Sequence, residues 1–231
     1  MFFDPMYLLF ALPGLALSLW AQLKVKRTFQ KYSQVAAQSG VSGAETAAEL
    51  IRRYGVAGVR IEETGGMLSD HYDPFHKVLR LSHEVYHGRS LSALGVAAHE
   101  AGHAIQHARA YGPLKLRSLL VKPASLGSNL GVILASIGLV LQAASLTVLG
   151  IVLFSAAVLF TLVTLPVEFD ASRRAVVALQ ELHIVTPAEA SGTRAVLDAA
   201  AWTYVAAALT AILQLLYFLM RAGLLGGRRE E

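Results

Sequence analysis

Cysteine is absent from the 231 residues, which excludes disulfides and thiolate-ligated metal. Charge is scarce as well. Asp, Glu, Lys and Arg make up 16% of the chain, against roughly 25% in a soluble domain. Aromatics do not interleave with basic runs, so no nucleic-acid partner is expected. The N-terminal apolar run has no basic stretch before it, which argues for a retained membrane helix over a cleavable signal peptide. What fills the chain instead is apolar: 55% of residues are hydrophobic, and the mean hydropathy is +0.50.

The missing charge is concentrated in three windows. Residues 5–23, 123–167 and 199–220 carry no Asp, Glu, Lys or Arg. About 20 apolar residues cross a bilayer as a helix. The first and last windows each fit one crossing, and the middle one fits two, with a turn near Gln142 to Ser145. The reading is a mainly α membrane protein with about four transmembrane helices and a small α+β cytoplasmic domain. Its expected segments are transmembrane helix 1 over 5–23, a cytoplasmic domain over 24–122, a transmembrane hairpin over 124–166, a cytoplasmic helical segment over 167–198, and transmembrane helix 4 over 199–220. Loop 24–122 holds 14 of the 20 Lys and Arg. By the positive-inside rule it faces the cytoplasm and the N-terminus lies outside. The C-terminus then lies outside too, although Arg221, Arg228 and Arg229 weigh against that and Glu230 and Glu231 do little to offset them.

Within the large loop, Lys24 to Gln38 is expected to prolong the first membrane helix. Ser42-Gly43-Ala44-Glu45 reads as a capping box opening a helix that ends at Gly55. Val59–Glu62 and Lys77–Ser82 alternate as strands do, and Asp70–Pro74 reads as a turn between them. Thr186-Pro187-Ala188-Glu189 is a second capping box, leading into the fourth span.

The pattern His-Glu-x-x-His occurs twice, at His83–His87 and at His99–His103. It carries chemistry only on a helix, where residues four apart share a face and both imidazoles reach one zinc ion. The adjacent glutamate then addresses the metal-bound water. The first copy lies between a strand and Gly88, which leaves it one turn. Its histidines read as polar surface groups or a lining of the cleft mouth. The second lies in an Ala- and Leu-rich stretch, 91–110, capped by Ser90 and free of proline until Pro113. The second copy is preferred, with His99 and His103 as ligands and Glu100 as the catalytic glutamate.

A catalytic zinc usually takes three protein ligands. His107 lies about 12 Å along the axis from His99, too far to share the ion. Glu168 is the first charge after the long uncharged window. It reads equally as the first polar residue beyond the bilayer or as the third ligand, and the hairpin, which returns it to the side of His99 and His103, favours the ligand.

HEAGHAIQH (99–107), followed after two spans by LPVEFDASRRA (165–175), resembles the bacterial YugP-type neutral zinc metallopeptidases, as does GGMLSDHYDPFHKVLRLS (65–82). More distantly the chain is similar to the HtpX/Ste24 membrane proteases. The resemblance implies Zn2+ held by His99, His103 and Glu168, with Glu100 as catalyst. The distant relatives carry aspartate four residues after the ligand glutamate. This chain has Ser172 there and Asp170 two residues on, which leaves open the group that braces the histidines.

The expected function is a zinc-dependent endopeptidase of the cell membrane, multi-pass, with its active site facing the cytoplasm. Its expected partners are a peptide or protein substrate, membrane lipid, and a second copy or another membrane protein. Oxyanion donors could come from His71, Tyr72, Tyr86, His87, Arg173 or His183, and strand 77–82 could offer an edge to substrate. The alternatives are a membrane scaffold or binding protein with a structural or vestigial zinc site, and a metal transporter. The latter would want ionisable groups inside the spans, and the middle window has none.

Overall fold

Why the uncharged windows become helices follows from what they contain: long Leu, Ala, Val and Ile runs in which the helix alone satisfies the backbone. The computed structural model describes residues 4–66 and 69–225. Met67, Leu68 and the C-terminal Arg228, Arg229, Glu230 and Glu231 lie outside the described residues. The elements in chain order are α1 (Pro5–Ser33), α2 (Gly43–Arg53), β1 (Arg60–Thr64), β2 (His71–Asp73), β3 (Val78–Ser82), α3 (His83–His87), α4 (Leu91–Ala108), α5 (Gly112–Leu126), α6 (Val132–Val140), α7 (Ala144–Glu181) and α8 (Pro187–Arg221). Four helical stretches are long and apolar enough to cross a membrane: α1, Gly112–Val140, α7 and α8. The protein is therefore mainly α, with a small α+β part.

The chain divides into two compact units. The first comprises Met1–Ala21, Lys115–Leu165 and Thr203–Glu231. In it, α5 and α6 are joined by a π-helical turn, Gly127–Gly131, that follows Pro123. Proline removes one backbone donor, and a π turn is one way a helix absorbs such a break. Glycines bring this helix against the first half of α7. A Cβ on Gly127 would lie 2.1 Å from the Leu153 carbonyl oxygen, and one on Gly150 would lie 2.2 Å from the Ala135 nitrogen. Small residues spaced four apart allow such close backbone approach between membrane helices. The chain reverses between α6 and α7 at Gln142, whose φ is 53°. Many of this unit's leucines and valines, among them Leu9, Leu119, Val140 and Val152, are exposed, as lipid-facing side chains are.

The second unit comprises Gln22–Leu114 and Pro166–Trp202. The Ser42 hydroxyl accepts the Glu45 N–H, and the Glu45 carboxylate accepts the Ser42 N–H at 2.6 Å, closing the capping box of α2. The chain leaves this helix through Gly55 at φ 66°. The Thr186–Glu189 box closes in the same way at the start of α8.

The three strands form one sheet in the order β1-β3-β2. β1 runs parallel to β3 with Glu63 level with Leu81, and β2 runs antiparallel to β3 with Tyr72 level with Leu79. This corrects the sequence reading twice. His71–Asp73 is a strand rather than part of a turn. The reversal comes after it, where the Asp73 carboxylate accepts the N–H groups of Phe75 and His76. And β3 lies in the middle, paired on both sides, so it offers no free edge. Its central place also explains why Val78, Leu79, Leu81 and Ser82 are all buried.

Helix α4 is the spine of this unit. Leu94, Ala97, Ala98, Ala101 and Ala104 join Leu79, Leu81, Val85, Leu50 and Leu179 in one apolar cluster. Its small residues let the second half of α7 come close: a Cβ on Gly102 would lie 2.9 Å from the Ala171 carbonyl oxygen.

Candidate metal centre

Three side chains meet where α4 crosses α7. His99 and His103 stand one turn apart on α4, with ring centroids 4.7 Å apart and planes at 83°. From α7, Glu168 places Oε2 3.1 Å from His99 Nε2 and 3.5 Å from His103 Nε2. All three are withdrawn from solvent, with side-chain exposures of 12%, 10% and 2% respectively.

Each imidazole is held from behind. His99 Nδ1 lies 3.1 Å from the Ser172 hydroxyl. Ser172 is one turn beyond Glu168 on α7, so both reach the same ring. His103 Nδ1 lies 3.0 Å from Gln106 Oε1. The Gln106 amide has its orientation dictated. Its Nε2 donates to the Val167 carbonyl and to Asp170 Oδ2, both at 2.9 Å. The side-chain oxygen is therefore the atom facing His103, and the ring must carry its hydrogen on Nδ1. Asp170 in turn is held by Arg173 and Arg174, each at 2.5 Å. The aspartate two residues beyond Glu168 thus reaches one histidine through a glutamine, and Ser172 reaches the other directly.

The donor set fits zinc. Two ring nitrogens and a carboxylate are its borderline N/O ligands. Bonds of 2.0–2.1 Å in a tetrahedron place ligand atoms about 3.3 Å apart. The separations here, 3.1 and 3.5 Å, fall on either side of that value, and the three donor atoms lie within 4.8 Å of one another.

Glu100 is buried beside this cluster, 8% exposed. Its Oε2 accepts the Tyr72 N–H at 2.9 Å, so β2 turns one backbone donor outward onto α4. The Tyr72 hydroxyl bonds His107 Nδ1 at 2.9 Å, so His107 is tied to the strand and stands apart from the three donors. A cavity of about 280 Å³ lies alongside, lined by Val56, Val59, Tyr72, Ala104 and His107 among others. Asp70 is bonded by the Ser82 N–H and hydroxyl. Burial pushes its carboxyl above the usual aspartate range, the Ser82 bonds oppose this, and the Glu100 charge adds to the rise. Burial likewise raises the Tyr72 phenol, with the Asp73 charge a lesser cause.

The other candidate donors are scattered. Arg173 is committed to Asp170. His183 sits in the turn after α7 at φ 54°. His71 bonds the Ser69 carbonyl and lies 3.3 Å from Arg80. Tyr86 packs on the His87 ring. His83 and His87 do not approach the buried cluster's donors; both bond Glu63 on the solvent side. Gln106 is a bracing group that the sequence does not single out, its only signal being its place three residues after His103. Ser172, marked in the sequence only as a departure four residues after Glu168, proves to hold His99.

The family described as "Putative neutral zinc metallopeptidase" matches residues 7–223. The "Putative membrane protease YugP" of Bacillus subtilis (strain 168) is 47% identical over 226 residues, covering 98% of this chain and 100% of that one. No solved structure matches the chain. Nearly the whole length is thus accounted for by one lineage: the chain belongs to this family of neutral zinc metallopeptidases, membrane hydrolases whose cofactor is Zn2+.

Proposed function

We propose that this protein is a membrane endopeptidase in which His99, His103 and Glu168 hold zinc and Glu100 is the general base. The convergence of three buried donors within 4.8 Å of one another carries the reading. Three protein ligands leave a coordination position for water, as catalytic sites do and four-ligand structural sites do not. That favours an enzyme over a scaffold with a structural ion. When bound, zinc supplies Lewis-acid polarisation of the water and the scissile carbonyl.

The chain's own residues do the rest. Glu100 takes a proton from the water as its oxygen adds to the carbonyl carbon, then delivers it to the amide nitrogen as the C–N bond breaks. The Tyr72 N–H fixes the orientation of that carboxylate. Gln106 and Ser172 fix the ring orientations of His103 and His99. The outer side of β2 replaces β3 as the strand along which an extended substrate would lie, with the cavity beside Tyr72 and His107 receiving a side chain. The basic loop 24–122 supports a catalytic site on the cytoplasmic face.

Zinc removal tests the activity. The purified full-length protein in detergent should cleave an unfolded protein substrate, lose cleavage when 1,10-phenanthroline strips the metal, and regain it on adding Zn2+. Cleavage that persists in verified zinc-free protein would overturn the reading.

The brace has its own signature. Gln106→Leu leaves His103 Nδ1 without its acceptor and Asp170 without one of its donors. Loss of such an outer partner typically weakens zinc affinity by ~10–100-fold. Competition with a chelator should show a loss in that range, and an unchanged affinity would remove Gln106 from the site.

A further inference from the structure

The first copy of the repeated pattern has a chemistry of its own. α3 follows β3 directly, and β1 runs parallel to β3 with Glu63 level with Leu81. Glu63 therefore stands at the strand end beside the first residue of α3. His83 and His87, four apart on that single turn, have ring centroids 4.8 Å apart. The Glu63 carboxylate bridges them, with Oε1 2.6 Å from His83 Nδ1 and Oε2 3.0 Å from His87 Nε2. All three donor atoms lie within 4.8 Å of one another.

One turn of helix is usually a loose support, but this one is clamped. Val85 is fully buried in the core. A Cβ on Gly43 would lie 2.1 Å from the Val85 carbonyl oxygen, and one on Gly88 would lie 2.2 Å from that of Glu84. The Gly43 N–H donates to the Gly88 carbonyl at 2.9 Å. The backbone bearing both histidines is thus packed against the start of α2 and anchored in the core through Val85.

We propose that Glu63, His83 and His87 form a second, solvent-facing zinc site, separate from the His99–His103–Glu168 cluster, that ties β1 to α3. Two imidazoles and a carboxylate prefer zinc or a similar transition ion to calcium or magnesium. A 2.6 Å contact between nitrogen and carboxylate holds a proton between them. An ion in its place needs those atoms about 3 Å apart around bonds of 2.0–2.2 Å, which a small rotation of exposed side chains provides. Here the exposures are 80%, 56% and 42% for His83, His87 and Glu63. No wall excludes water, so this is a binding and bracing site, and Glu84 has no catalytic part in it. Its exposed ligands gain no desolvated surroundings and lose side-chain freedom on binding, which makes it the weaker of two sites. The inference stands independently of catalysis at the buried cluster.

The test is zinc stoichiometry on full-length, chelator-stripped protein in detergent, by equilibrium dialysis and metal analysis over a range of free Zn2+. Wild type should take two equivalents in two affinity classes. Glu63→Gln and His87→Asn should keep the tight equivalent and weaken the other at least tenfold. His99→Ala should do the reverse, so failure of either site is visible separately. Because the substituted side chains are exposed, zinc-free melting should match wild type; should a variant misfold, the wild-type stoichiometry still decides. A single equivalent in wild type that His99→Ala removes and Glu63→Gln keeps, or two undiminished equivalents in Glu63→Gln and His87→Asn, overturns the proposal.

Discussion

Glu100→Gln should retain zinc and lose peptide hydrolysis. The amide is isosteric, and its oxygen can still accept the Tyr72 N–H that now binds Glu100 Oε2 at 2.9 Å. What it cannot do is take a proton. General-base catalysis contributes about 10²–10⁴-fold in rate, so kcat/KM should fall by at least that range, with zinc per chain unchanged. The paired measurement matters. Loss of both activity and zinc would mean that Glu100 acts on the fold or the metal, and retained activity would assign the proton transfer elsewhere. The substrate-binding contacts postulated along β2 are untouched, so KM should change far less than kcat.

Glu168→Ala should empty the buried centre. It removes the carboxylate that both Nε2 atoms face at 3.1 and 3.5 Å, leaving two imidazoles with no anionic partner for the ion. The loss in zinc affinity should exceed the ~100-fold upper range seen for outer partners, and should be read as metal per chain at fixed free zinc. The outcome separates the two readings that the sequence offers for Glu168. A residue that is only the first polar group beyond the bilayer would leave zinc content alone. Glu168→Gln, which keeps the buried volume, offers a second check.

Features legible in the sequence were those that act locally. Charge-free windows, the Ser42–Glu45 and Thr186–Glu189 boxes, the Ser90 cap and the choice of a long helix over a single turn all depend on neighbours within a few residues. The side-chain partnerships across elements did not show. Gln106 turns on Val167 and Asp170, and Ser172 reaches His99 only because Gly102 lets α7 approach. Those contacts span some sixty to seventy positions and follow no period. β2 reads as part of a turn because its last residue opens an Asp-Pro step, and only pairing with β3 makes it a strand. The same pairing moved the open edge from β3 to β2. Glu63 lies one residue past the expected strand Val59–Glu62, and only the parallel register of β1 with β3 sets it beside α3.

The glutamine that faces His103 makes that imidazole answer to α7 as well as to its own helix. Its two donated bonds, to Val167 and Asp170, leave only its oxygen for the ring. Asp170 is itself gripped by Arg173 and Arg174 on the same helix. A slide of α7 at this level is therefore passed on to the orientation of one ring on α4, so the two helices are set as a pair.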